Sequence, residues 1–191
     1  MDVPGSWRGV RNRFKDAPDA VTEYFEPIPE LVEHYPWEVS IAYAFSLLEK
    51  SHTRALYAGA AKLHRANTTV ARSFVDDKHI TRKEFQRLFR NVFGTPIPKD
   101  ALETLKEAEK VRDKILHGKE TQEWEKRKAL VALLAYAERL DELVWDMAGF
   151  RPFAVHMRGF VGRREPLDRS TTKWLMRGLG FGKAENGSTG S

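Results

Sequence analysis

The stretch Leu130-Val131-Ala132-Leu133-Leu134-Ala135-Tyr136-Ala137-Glu138-Arg139-Leu140-Asp141-Glu142-Leu143-Val144-Trp145-Asp146-Met147 decides the fold class. Within it Leu130, Leu133, Leu134, Ala137, Leu140, Val144 and Met147 recur at steps of three and four, the spacing of a helix that buries one face. Thr121 offers this helix a cap and Gly149 a stop. Toward the N-terminus the same period returns three times. Asp100 and Glu103 read as a capping signature before Leu102, Leu105, Ala108, Val111 and Ile115, with Gly118 as the end. Thr81 and Glu84 form a capping box, Ile80 and Phe85 its hydrophobic staple, and Phe85, Leu88, Phe89 and Val92 an inward face closed by Gly94 and Pro96. From Pro36, a residue suited to a first helical position, Ile41, Phe45, Leu48, His52, Ala55, Gly59 and Leu63 give a long amphipathic helix. His52 on that stripe reads as a hydrogen-bonded core histidine. Gly59 costs about 1 kcal/mol against alanine unless a neighbouring helix approaches closely there.

No internal repeat and no alternating run long enough for a sheet interrupts this pattern. The expectation is therefore an all-α protein, an antiparallel four-helix bundle over residues 37–149, since the connections after the second and third helices are short. Residues 1–36, with Pro4, Pro18, Pro27 and Pro29, read as an irregular N-terminal arm holding one short helix near residues 20–24. Residues 150–191 read as a basic C-terminal extension: a loop through 158–164, a short basic helix from a cap at Ser170 to Arg177, and a disordered Gly- and Ser-rich tail.

Composition narrows the function classes. The chain of 191 residues has no cysteine, which excludes a disulfide scaffold and thiolate metal sites. Residues 1–20 contain no apolar run resembling a signal peptide and no stretch approaches the roughly 20 apolar residues of a membrane span, so a soluble cytoplasmic protein without membrane partners is expected. His34, His52, His64, His79 and His156 are scattered, none paired at a metal-ligand spacing, and no phosphate-cradling glycine loop follows a strand. No metal and no cofactor are expected.

Chemistry concentrates in Val111-Arg112-Asp113-Lys114-Ile115-Leu116-His117-Gly118. A guanidinium can grip a phosphate through two parallel hydrogen bonds, and an imidazole can move protons near neutral pH. Asp113 and His117 are four apart on one helical face, so Asp113 can orient the ring. Arg112 lies five positions from His117, roughly 140° around the axis, and a long side chain or a second copy of the chain must close that gap. Gly118 as C′ residue puts His117 in the last turn beside the helix's free carbonyls. Arg151 and His156 repeat the spacing, but Pro152 interrupts them, and Arg72 with His79 sits in a polar connection. The alternative is that Arg112 pairs with Glu107 or Glu109 on the surface and His117 merely favours a helix end.

Charge supplies a second candidate. Residues 150–191 hold eight basic and three acidic side chains, so the whole net charge of +5 falls there. Arg151, Arg158, Arg163, Arg164, Lys173 and Arg177, interleaved with Phe150, Phe153, Phe160, Trp174 and Phe181, suit an RNA-holding surface that tracks phosphates and stacks on bases. Alternatively the aromatics pack back onto the bundle and the cations are solvated.

On the motif Arg112-Asp113 to His117, placed between the third and fourth helices, the chain resembles the HEPN superfamily over residues 37–149. The resemblance implies a homodimer in which two motifs meet across a two-fold axis to form one composite ribonuclease site. It implies metal-independent cleavage of RNA by the 2′-hydroxyl, leaving a 2′,3′-cyclic phosphate. Arg112 is implied as the stabiliser of phosphoryl charge, His117 as the proton carrier and Asp113 as the residue that positions the imidazole. A toxin or phage-defence role follows from the same resemblance, with an antitoxin or a small nucleotidyltransferase as partner. The chain departs from the toxin members in its length at both ends, in Asp113 where asparagine is frequent, and in lacking a tyrosine motif after His117. The alternative function is a HEPN-like module that binds RNA, a nucleotide or a partner without cleavage.

Overall fold

A computed structural model describes residues 3–78, 80–161 and 165–182. Among them the chain is all-helical, with α1 (Trp7–Lys15), α2 (Asp19–Tyr24), α3 (Ile28–His34), α4 (Trp37–His64), α5 (Thr68–Asp76), α6 (Arg82–Phe93), α7 (Lys99–Leu116), α8 (Glu123–Ala148) and α9 (Arg169–Met176), followed by a π-helical turn over Arg177–Phe181. No described helix is long and apolar enough to cross a membrane. The chain divides into two compact units, residues 1–55 with 97–160 and residues 56–96 with 161–191.

The first unit contains α1 to α3, where an irregular arm was expected. Ser6 caps α1 by accepting from the Gly9 amide, and Val10 and Phe14, four apart, bury the same face. The prolines that suggested irregularity sit where they do no harm: Pro18 and Pro27 precede the first residues of α2 and α3, and Pro29 lies in the first turn of α3. Helix α1 packs on α3 and α8, and α2 on α8. Helices α7 and α8 pack against each other over a short connection. The start of α7 follows Pro98 without a side-chain cap, so Asp100 is a first-turn acid rather than the expected cap. The cap of α8 is Gln122, not Thr121, and Glu125 reaches back to its amide at 2.9 Å.

Of the aromatics read either as base-stacking groups or as packing back onto the bundle, Phe150 and Phe153 take the second course and belong to this unit's core. Phe150 and Phe153 are fully buried, and Phe153 stacks on Phe25 and meets Tyr24 edge-on. Behind them Asp141, 1 % exposed, accepts from Arg151 at 2.7 Å and from the Phe153 amide at 3.2 Å. Burial outweighs both donors and holds the Asp141 carboxyl above the usual carboxylate range.

His52 is the core histidine that its place on the stripe indicated. Its Nε2 lies 3.2 Å from the Tyr136 hydroxyl, and burial pushes its pKa down to about 3. The sign follows directly. A folded-state pKa below the unfolded value of about 6.5 means that the unfolded chain takes up the proton first, so stability is complete above that value and falls as pH drops toward 3. Urea midpoints measured from pH 7 to pH 4 should decline in the parent, and His52→Gln, which keeps a hydrogen-bonding group but cannot titrate there, should show a shallower decline.

In the second unit the last turns of α4 approach α6 closely. A Cβ added at Gly59 would lie 2.7 Å from Val92 Cγ1 and 2.8 Å from the Phe93 ring, which answers why a glycine interrupts this helix. Phe85, Leu88, Phe89 and Val92 form the buried face of α6, whose Thr81–Glu84 capping box is present. Residues 68–76, where Arg72 was expected in a polar connection, form α5: Asn67 caps it, and Val70, Ala71 and Val75 are buried. Helix α5 packs on α9. The cap of α9 is Asp168, two residues earlier than the expected Ser170, and it accepts from the Ser170 and Thr171 amides. Thr172 and Met176 are its buried residues.

Candidate functional site

Helix α7 delivers the Arg-Asp-His motif to its C-terminal end. His117 is the C-cap, and Gly118, at φ +65°, is the left-handed C′ residue. The Gly118 amide donates to the Ile115 carbonyl at 3.0 Å and the Lys119 amide to the Lys114 carbonyl at 2.9 Å. This pair is a Schellman closure, which glycine adopts without the steric cost of a Cβ. Lys114 then bonds Glu125 at 2.8 Å and fixes the end of α7 to the start of α8.

Around Arg112 the arrangement is specific. Its guanidinium lies 4.7 Å above the Phe45 ring, donates from Nε and Nη2 to Asp113 Oδ1 at 3.2 and 3.0 Å, and from Nη1 to Glu49 Oε1 at 3.3 Å. The planar cation is thereby stacked on one side and held by carboxylates at its edge. Its partners are Glu49 and Asp113, not Glu107 or Glu109. Phe45 and Glu49 are four apart on α4, so one face of that helix presents both ring and carboxylate. Sequence reading placed Phe45 on the inward stripe and missed Glu49, because its pairing with Arg112 is a contact between two helices 63 positions apart in the chain.

Asp113 sits differently from the expectation. Its side chain is turned to Arg112, while its backbone carbonyl accepts from the His117 amide at 3.1 Å. The imidazole of His117 is exposed and makes no hydrogen bond among the described residues. Within one chain, then, Asp113 positions the arginine and leaves the ring of His117 free to turn. Beside the motif, Leu116 is 67 % exposed and Trp124, at the start of α8, 53 %.

The basic set separates into distinct roles. Arg151 is occupied by Asp141 and lies 4.8 Å over the Trp145 ring, which makes it part of the fold. Arg158 lies 3.7 Å from Glu23, both exposed. Arg163 and Arg164, like His79 and the tail from residue 183 onward, lie outside the described residues. Lys173 and Arg177 are exposed on α9 and its continuation, and neither has an acidic partner among the described residues. Trp174 between them is 75 % exposed. Arg169, absent from the expected RNA-binding set, is also exposed there. No three His, Asp or Glu side chains among the described residues form a group that could hold a metal ion.

No protein-family model, no curated protein and no solved structure matches this chain.

Proposed function

We propose that this protein is a HEPN-like endoribonuclease that cleaves RNA without a metal ion, at a composite site formed by two copies of the Arg112, Asp113 and His117 motif. In this reading α4, α6, α7 and α8 correspond in chain order to the four helices of a HEPN bundle. The observation that carries it is the end of α7: a solvent-facing imidazole five residues after an arginine whose plane is fixed by Phe45, Glu49 and Asp113. The 2′-oxygen of one nucleotide attacks the adjacent phosphorus, the bond to the 5′-oxygen of the next nucleotide breaks, and a 2′,3′-cyclic phosphate and a 5′-hydroxyl result. An imidazole takes the 2′-proton and an imidazolium returns one to the leaving 5′-oxygen, a division of labour that two His117 rings across a two-fold axis can supply. Arg112 exchanges its exposed carboxylate partners for the phosphoryl oxygens as charge develops on them. The exposed Leu116 and Trp124 supply apolar surface for the two-fold contact. Toxin or defence action, with an antitoxin or a nucleotidyltransferase as partner, belongs to the same proposal.

The test is incubation of the purified protein with mixed cellular RNA in EDTA, with end-group analysis of the products. Cyclic-phosphate termini are expected. Complete dependence on a divalent ion, or products with 3′-hydroxyl ends, would overturn the assignment. One observation favours a second reading, an RNA-binding module without cleavage: Arg112 is already neutralised by Glu49 and Asp113. That reading predicts retained, uncut RNA with and without EDTA.

A further inference from the structure

The exposed face of α9 points to a ligand of its own. Ser170, Lys173, Trp174 and Arg177 follow one another at steps of three, one and three and share one side of the helix, spanning about 100° of its circumference, away from the buried Thr172 and Met176. The indole of Trp174 is 75 % exposed, and the cations of Arg169, Lys173 and Arg177 have no acidic partner among the described residues. At Arg177 this face runs into a cleft of about 670 Å³, bounded by the end of α5 and the π-helical turn. Phe74 and Phe181 contribute ring surface to it. Lys78 also lines it but bonds Glu84 at 3.1 Å, and Asp77 stands on the same wall, so Arg177 is the cation at its rim without an acidic partner among the described residues.

We propose that this face and cleft are a seat for single-stranded RNA, with a base stacked on Trp174, flanking phosphates on Lys173 and Arg177, and the next base lying in the cleft against Phe74. This deepens the ribonuclease reading and rests on it for the choice of RNA over DNA. An exposed indole can stack on an unpaired base, whereas the bases of a duplex already stack on one another. The cleft volume falls in the range of small-molecule sites, large enough for a nucleobase. A membrane surface fits less well, because the face carries Ser170 and one indole rather than the continuous apolar stripe of an interfacial helix. A second copy of the chain fits less well too, since an isologous contact here would oppose Lys173 and Arg177 with their own images.

The experiment uses the full chain carrying His117→Ala, so that the probe survives, with fluorescein-labelled 12-nucleotide oligouridine and oligoadenosine read by anisotropy across a salt series. Adding Trp174→Ala should weaken binding roughly fivefold to 150-fold, the range of one lost base stack. Adding Lys173→Gln with Arg177→Gln should flatten the slope of log affinity against log salt by about 1.4, two phosphates at 0.7 each. A duplex of equal length should bind more weakly than either strand. Circular dichroism should show unchanged melting for these exposed substitutions, and if Trp174→Ala does lower it, the Lys173 and Arg177 variant decides. Unchanged affinity and salt slope overturn the proposal. So does a loss confined to binding of phosphatidylserine vesicles, or a change of sedimentation in place of a change in RNA affinity. Cleavage by the His117-bearing protein is scored separately: cleavage with unaltered oligonucleotide binding in the variants removes this seat and keeps the ribonuclease, and the reverse pattern does the opposite.

Discussion

His117→Ala is expected to lower the rate of RNA cleavage by about a hundredfold to ten-thousandfold, the usual cost of removing a general acid or base, while leaving thermal unfolding where it is. The second half of that expectation comes from geometry. The imidazole is exposed and makes no hydrogen bond among the described residues, and the C-cap backbone at φ −92° suits an alanine. The Schellman bonds that end α7 run between main-chain atoms and survive the change. Arg112→Lys should also impair cleavage, because an ammonium reproduces neither the bidentate grip nor the planar stack on Phe45. Mixing Arg112→Ala with His117→Ala chains probes the composite site: recovery of some activity in the mixture means that one protomer lends the arginine and the other the histidine. Full cleavage by His117→Ala removes this residue from the chemistry altogether.

Arg151→Met should destabilise the protein by roughly 3–5 kcal/mol at neutral pH, the cost of leaving a buried charge without its partner. Asp141 is nearly inaccessible, and its other donor is the Phe153 amide. The pH dependence supplies the signature. A carboxyl whose folded pKa lies above its unfolded value of about 3.9 favours its protonated form in the folded state, so stability falls as pH rises through the window between the two. Losing Arg151 moves the upper end of that window higher. Urea unfolding should therefore show a large defect at pH 7 that narrows toward pH 4.5, and Asp141→Asn combined with Arg151→Met should recover much of the loss. A variant as stable as the parent but weaker in RNA binding would return Arg151 to the phosphate contacts.

The long helices were legible because their periodicity is strong and their ends carry side-chain chemistry: Thr81 with Glu84, Gly94, Gly118 and Gly149 stand where local rules place them. The helices of the first 36 residues are not legible because proline signals a break along most of a helix, whereas at its first turn the missing amide costs nothing. Helix α5 escaped notice because nine residues with two threonines and two valines carry weak propensity; a helix this short depends on tertiary packing, and Val70, Ala71 and Val75 are its buried residues. At the candidate site, Arg112 and His117 were visible as a pattern. The partnership of Arg112 with Glu49 was not, because a contact between α4 and α7 is a tertiary fact that spacing along one helix does not encode. Burial of Phe150 and Phe153 likewise separated the aromatics of the basic stretch into core residues and one outward tryptophan, a distinction that composition cannot make.

The second unit draws its two halves from either side of residues 97–160. Asn67 donates to Thr172, and the Arg65 carbonyl accepts from the Leu167 amide, so its closing bonds join positions about a hundred residues apart. During synthesis at roughly 5–20 residues per second, α5 is made several seconds before the α9 on which it packs. The whole of α7 and α8 is made in that interval and can pair locally, as nearby helices do quickly. A nascent chain stalled between residues 120 and 160 would thus present α5 without the helix that packs on it and without these closing bonds.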